Sequence, residues 1–139
     1  MDENKVITFI KRLSNDTVNE KITWQRLNDY QNMDATSPSE IFNMLFTTEY
    51  RHIDYHNSYF AILSLGAIFV LYEDNESGRE GGIRSIGYKI YLQDESSNKV
   101  SNLPCPAHAV YQLLNAIQSC IAKSEADAEN FIDAYLSQN

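Results

Sequence analysis

The stretch SIGYKIYLQ, residues 85–93, decides the fold class that this sequence predicts. Ile86, Tyr88, Ile90 and Leu92 fall on every second position, with Gly87, Lys89 and Tyr91 between them. Successive side chains of a strand point to opposite faces, so this alternation predicts a β-strand with one buried face. The surrounding region, residues 46–93, is rich in Tyr, Phe, Ile, Val and Thr, which strands favour. We therefore predict three or four antiparallel strands within residues 46–93.

The segments on either side complete the predicted fold. KITWQRL, residues 21–27, alternates apolar and polar positions as a half-buried strand does. Before it, helical spacing of apolar residues predicts a short helix that ends at the turn formers Ser14, Asn15 and Asp16. After the strands, the same spacing predicts two helices, and Ser124 with Asp127 resembles a capping box at the start of the second.

The predicted fold class is therefore α+β. It consists of an antiparallel β-meander of four to five strands, with N- and C-terminal helices packed on one face. Because 139 residues match one ordinary domain, residues 1–139 are expected to form a single domain.

The charge balance excludes two classes of partner. Nineteen acidic against eleven basic residues give a formal charge of -8, which repels phosphate backbones and anionic lipid surfaces. Nonspecific nucleic-acid binding and membrane binding are therefore not expected. The most apolar stretch, residues 59–72, is also shorter than the roughly 20 residues that a membrane-spanning helix needs.

The N-terminus and the cysteines indicate a reducing compartment. MDENKVITFIKRL begins with acidic residues and lacks the basic start and apolar core of a signal peptide. Cys105 and Cys120 fall in what reads as one helix, where a rise of about 1.5 Å per residue holds them roughly 22 Å apart. A disulfide joins Cα atoms less than about 7 Å apart. We expect a cytoplasmic protein with reduced thiols.

LPCPAH, residues 103–108, is the candidate catalytic site. If Pro106 is the first helical residue, Cys105 lies at the helix cap, where the helix dipole lowers the pKa of a thiol and His108 could assist it. No third group that would orient this pair can be identified, and triad chemistry requires one. The alternative, which we favour, is that the prolines fix the start of the helix and Cys105 is structural.

RHIDYHN, residues 51–57, is the candidate metal site. On a strand, His52, Asp54 and His56 point to one face, with two-residue repeats about 6.5 Å apart. Two histidines and a carboxylate suit non-haem iron, and His108 could complete the set from a distant segment. The solvent face of any strand shows the same row of polar residues, so both interpretations stay open. We expect no bound cofactor.

Tyrosine is frequent, with nine in the chain, and six of them fall in the predicted β region. Tyr88 and Tyr91 fall on opposite faces of their strand, so they cannot both lie under the helices. An exposed tyrosine is an effective interface residue. The sequence thus predicts a protein-binding face that includes Tyr50, Tyr55, Tyr88 and Tyr91.

One resemblance supplements these patterns. The segment T-x3-K-I-x-W, formed by Thr17, Lys21, Ile22 and Trp24, together with the last helix AENFIDAYL, resembles small bacterial and mobile-element proteins to which no function is assigned. The resemblance implies a bacterial or phage origin. It carries no functional residue over to this chain.

The sequence favours binding over catalysis. An acidic surface, candidate exposed tyrosines and the lack of a complete catalytic set predict a protein-binding module of the inhibitor, immunity or regulatory kind. Its charge would steer it towards a basic protein partner. The alternative function is a metal-dependent enzyme that uses His52, Asp54 and His56. Self-association stays open.

Overall fold

The computed structural model describes residues 2–27, 51–76, 84–96 and 99–138. They form two helices and an antiparallel sheet in the order α1 (Glu3–Val18), β1 (Gln25–Arg26), β2 (Arg51–Ile53), β3 (Tyr59–Leu63), β4 (Gly66–Glu76), β5 (Arg84–Asp94), β6 (Val100–Leu103) and α2 (Ala107–Leu136). The strand order is β1-β3-β4-β5-β6, and β2 pairs with β4 beyond the end of β3. The predicted α+β class is confirmed.

Strands β2 and β3 lie along the same edge of β4 and act as one interrupted strand. Ile53 is opposite Glu73 and Tyr59 is opposite Val70, so residues 54–58 form an insertion opposite residues 71 and 72. The buried Ser58 hydroxyl accepts a hydrogen bond from the Tyr72 amide at 2.9 Å. The Ser58 hydroxyl thus replaces a backbone hydrogen-bond partner that the insertion removes. Because β2 and β3 share one edge of β4, the six strands occupy five positions in the sheet.

Both helices pack on one face of the sheet. The strands contribute alternate residues to this core, including Ile68 and Val70 of β4 and Ile90 of β5, all of which are at most 1% exposed. The predicted alternation of β5 is confirmed for Tyr88 and Leu92, which pack against the same cluster, whereas Ile86 near the start of the strand is 53% exposed. The helices supply Val6, Ile10, Leu13, Ala109, Val110, Leu113, Leu114, Ile117 and Ile121.

Helix α1 is longer than the sequence predicted, and the expected end at residues 14–16 is wrong. The buried hydroxyls of Ser14 and Thr17 donate to the carbonyls of Ile10 and Leu13, one turn earlier, and so remain compatible with the helix. The helix ends after Val18 with Glu20 in the left-handed region, at a φ of 60°. The Glu20 and Lys21 amides bond back to Thr17 and Asp16, which is the Schellman arrangement.

Helix α2 is one continuous helix of 30 residues, so the expected division into two helices near Ser124 is wrong. Residues 107–136 contain no glycine and no proline, and alanine and glutamate, both good helix formers, are frequent after residue 121. A capping-box pattern starts a helix only where the preceding chain leaves helical geometry, and here it does not.

The opposite face of the sheet is also buried, which the sequence did not predict. Phe60, Phe69 and Leu71 are at most 1% exposed and form a second apolar cluster. Tyr91 belongs to this cluster and donates to the buried Glu73 carboxylate at 3.0 Å. The Tyr91–Glu73 hydrogen bond satisfies polar groups that would otherwise be unpaired in this buried cluster.

The contact between Thr17 and Trp24 joins the end of α1 to β1, and its loss should destabilise the fold. The buried Trp24 indole donates to the Thr17 hydroxyl at 2.9 Å. Thr17→Val keeps the side-chain shape but leaves this donor unpaired, so we expect a loss of about 1–3 kcal/mol in the free energy of unfolding by urea. In a Trp24→Phe background the same substitution should cost at least about 1 kcal/mol less. Additive costs would contradict the assignment.

Candidate functional site

The candidate metal residues do not share one strand. Strand β2 ends at Ile53, so Asp54 and His56 lie in the insertion that follows it. Both are exposed, whereas the side chain of His52 lies outside the described part of the structure. In the described ranges, no group of three or more His, Cys, Asp or Glu residues is arranged to hold a metal ion. The metal site therefore stays a prediction.

Asp54 has a structural role in this insertion. Its Oδ1 accepts the amides of His56 at 3.1 Å and Asn57 at 3.2 Å, and its Oδ2 accepts the Asn57 side-chain amide at 2.7 Å. These hydrogen bonds lower the pKa of Asp54, and the bond from the Asn57 side chain has the largest effect on it. Both carboxylate oxygens are thus engaged in holding the turn between β2 and β3.

Cys105 does not occupy the helix cap. The N-cap of α2 is Pro106, whose carbonyl accepts the amides of Ala109 at 3.0 Å and Val110 at 3.2 Å. Cys105 precedes the cap, is half-buried and packs against the helix-side core, and this burial raises the pKa of its thiol. His108 is exposed in the first turn of the helix. Both cysteines are free thiols, as expected.

The tyrosines of the predicted binding face lie in different environments. Tyr50 lies outside the described residues, and Tyr55 is half-buried against the second apolar cluster. Tyr91 is only 3% exposed, so the expectation that it lies on an open sheet face is wrong. Tyr88 is half-buried between two aromatic rings, Tyr72 at 4.9 Å and Tyr111 at 6.3 Å between centroids. Burial, with smaller contributions from neighbouring groups, raises the pKa of Tyr88 to about 12.

Among the described residues, exposed large apolar side chains cluster instead on the second half of α2, which we call the α2 arm (residues 124–136). Four of its large apolar residues are 55–74% exposed: Phe131, Ile132, Tyr135 and Leu136. With Ala128 they form what we call the apolar stripe, because steps of three and four residues place them on one side of the helix. Every residue from 122 to 136 is exposed.

The apolar stripe continues the face of α2 that forms the core. Leu113, Ile117 and Ile121 are at most 8% exposed, and the same spacing leads from them through Ser124 to the stripe. Helix α1 has 16 residues and α2 has 30, which correspond to lengths of about 24 and 45 Å at 1.5 Å per residue. Helix α1 is therefore too short to cover the whole of α2.

Two ion pairs fix the base of the arm. The Lys123 ammonium donates to the carboxylate of Glu20, just beyond the end of α1, and the Arg26 guanidinium of β1 donates to Glu125. Hydrogen bonding and charge attraction from Glu20 raise the pKa of Lys123, and Asp127 adds to this effect. The pairs hold the start of the arm against the segment between α1 and β1.

A cleft of about 230 Å³ lies at this base, between α2 and the segment that follows α1. Ile22, Trp24 and Ile121 give it apolar walls, and Ser124 and Asp127 line its polar side. Because Ser124 and Asp127 belong to the arm, the cleft lies at the start of the arm, before the first residue of the apolar stripe.

Acidic residues border the stripe on one side. Glu125, Glu129 and Asp133 are four residues apart, so they form a row along one flank of the helix. We call them the acidic row. Arg26 pairs with the first of them, and no cation in the described part of the chain lies within ion-pair distance of Glu129 or Asp133.

The sequence contains a signal for this surface. The apolar spacing of residues 128–136 predicts an amphipathic helix, but it does not indicate whether its apolar face is covered. No helix breaker follows Ile121, and the first helix is short. Together these two features imply that α2 extends beyond the part that the first helix can cover. Comparison of the two helix lengths would have identified the arm.

Comparison with known proteins adds no information on function, because no family model, curated protein or solved structure matches this chain. In the ranges that the structure describes, no helix has the length and apolar character needed to cross a membrane. The exposed surface of the chain itself is therefore the basis for the functional proposal.

Burial of Cys105 predicts that its thiol reacts slowly with alkylating reagents. In a Cys120→Ser variant, Cys105 is the only remaining cysteine. Because burial disfavours the thiolate, its rate of alkylation by iodoacetamide should rise with an inflection above the ordinary value of about 8.5. Mass spectrometry across a pH series gives this profile, and the urea-unfolded chain is the control. An inflection below about 8.5 in the folded protein would support a reactive thiol instead.

Proposed function

We propose that this chain is a protein-binding module of the inhibitor, immunity or regulatory kind, and that the α2 arm is its docking element. The observation that carries the proposal is the apolar stripe, whose four large side chains are 55–74% exposed on an ordered helix. A contiguous exposed apolar patch of this kind usually marks an interaction site in a soluble protein.

The spacing of the stripe supports a helical mode of recognition. Ala128, Phe131, Ile132 and Tyr135 occupy positions i, i+3, i+4 and i+7, and Leu136 follows at i+8. Amphipathic helices that dock on partner proteins present anchors at these positions. Upstream on α2, the same spacing already buries apolar residues against the domain's own helix and sheet. A partner that docks on the arm would bury the part of this apolar face that is exposed in the free chain.

The aromatic residues of the arm replace the sheet tyrosines in this proposal. Phe131 is 74% exposed and Tyr135 is 68% exposed, whereas Tyr91 is buried within the domain. Aromatic side chains that become buried on binding contribute disproportionately to the affinity of protein interfaces. Phe131 and Tyr135 are therefore the residues that we expect to contribute most.

Substitution of Phe131 tests the proposal against a matched control. Phe131→Asp places a charge in the stripe, and Leu65→Asp makes the same change at the turn between β3 and β4, where Leu65 is 83% exposed. A partner isolated with the wild-type chain is purified, and its dissociation constant is measured by calorimetry. We expect Phe131→Asp to weaken binding by at least about 30-fold, as loss of an aromatic anchor does, and Leu65→Asp to leave it unchanged.

Both variants should unfold at the wild-type temperature, because both side chains are exposed in the free protein. An unchanged dissociation constant for Phe131→Asp would show that the stripe is not the docking surface. Failure of the wild-type chain to retain any partner under several growth conditions would count against a binding function altogether.

A further inference from the structure

We infer that the α2 arm binds an amphipathic helix of a different protein, and that this helix carries lysine or arginine along one flank of its apolar face. The inference rests on the proposed function and adds the chemistry of the partner. Its two parts, the helical form and the cationic flank, follow from separate features of the arm.

The helical form follows from the way in which the domain covers the first half of α2. Helix α1 packs on that half with Val6, Ile10 and Leu13, and it ends where Glu20 pairs with Lys123. Beyond this point the same face of α2 continues for about three and a half turns, at 3.6 residues per turn, and no described residue covers it. A second helix, placed in line with α1, would meet the same type of surface.

Apolar surface is also exposed near the end of α1. Val18, in the last turn of α1, is 69% exposed, and the cleft lined by Ile22 and Trp24 lies at the base of the arm. A helix that packs on the stripe can therefore also place its first apolar residue against this cleft. The docking surface is longer than the arm alone.

The cationic flank follows from the acidic row. Glu129 and Asp133 are exposed and border the stripe, next to Glu125, which already binds the Arg26 guanidinium. This internal pair shows that a cation on a neighbouring element can reach the row. Residues 124–138 contain no basic residue, so a partner that carries cations along this flank would complement the charge of Glu129 and Asp133.

The same row disfavours a second copy of this chain as the occupant. A two-fold symmetric pair uses the same surface patch on both subunits. In an antiparallel pair of arms, each flank faces its own copy, so Glu129 and Asp133 would face the same carboxylates. Like charges in these positions destabilise the pair, and a net charge of -8 on each chain adds to the repulsion.

Two synthetic peptides test the inference on the intact chain. Both are helical peptides of about the length of α1, 16 residues, with the same leucine face, and they carry lysine or glutamate on the flanks of that face. Their helix contents are matched by circular dichroism, and binding is measured by fluorescence anisotropy. We expect the lysine peptide to bind at least about 10-fold more tightly at low salt, with the difference decreasing as salt is added.

Charge-matched variants separate the row from the net charge. Glu129→Gln with Asp133→Asn should reduce the preference for the lysine peptide several-fold. Glu3→Gln with Glu95→Gln removes the same number of charges at exposed positions away from the arm, and it should leave the preference unchanged. An equal loss in both double variants would overturn the assignment to the row.

The remaining outcomes distinguish this inference from the proposed function. If both peptides bind equally and Phe131→Asp abolishes both, the cationic flank is wrong and the docking role of the stripe stands. If neither peptide binds but the purified native partner still depends on Phe131, the helical occupant is wrong and the proposed function stands. A dimer in sedimentation that Phe131→Asp dissociates would identify a second copy as the occupant instead.

Discussion

The apolar face of α2 is the constraint on which the rest of the structure depends. Its first half covers the helix side of the sheet and meets α1, and it buries Leu113 and Ile117 completely. Full burial of such side chains contributes about 1.5–3 kcal/mol each, so this half holds the sheet and both helices together. The second half carries the same pattern, and its apolar residues are exposed with no cover from the described part of the chain. One structural feature therefore accounts for both the fold and the docking surface.

The persistence of the arm as a helix follows from its attachment to the buried half. An isolated helix shorter than about 12–15 residues is marginal in water, because nucleation fixes several residues for one hydrogen bond. The arm has no nucleation cost, since it extends a helix that packing has already formed. The ion pairs of Lys123 with Glu20 and of Arg26 with Glu125 hold its first turn against the domain. The stripe is thus presented in the helical form that a partner would recognise, which reduces the entropy lost on binding.

Local sequence patterns predicted those elements in which each side chain has a single role, either in the core or at the surface. The alternation of Tyr88, Ile90 and Leu92 identified β5 and its buried face correctly, although Ile86 is exposed, and the helical spacing identified helices at both ends of the chain but not their bounds. The predicted helix ends were wrong where a polar residue can either end a helix or lie within one. Ser14 stays in α1 because its hydroxyl bonds to the preceding turn, and Ser124 lies within α2 although its neighbours resemble a cap.

The candidate sites were limited by tertiary information that the sequence does not contain. Asp54 was predicted as a ligand on a strand, yet it holds the turn that interrupts that strand. Tyr91 was expected on an open face, but both faces of the sheet are buried at its position. The exposure of Phe131 depends on where α1 ends, which is a property of two elements and not of the local pattern. Residues that act through packing could be predicted from local spacing, whereas the exposed stripe could be inferred only by comparing the lengths of two helices.

Hydrogen exchange along α2 tests the central claim most directly. In the free chain, amides of residues 124–136 should exchange faster than those of residues 109–121, because only the latter are covered by the domain. Addition of a lysine-flanked amphipathic peptide should slow exchange in residues 124–136 and around the base of the arm, with little change elsewhere. Contradiction would come from a free chain in which both halves of α2 are equally protected, or from peptide protection that lies outside the arm.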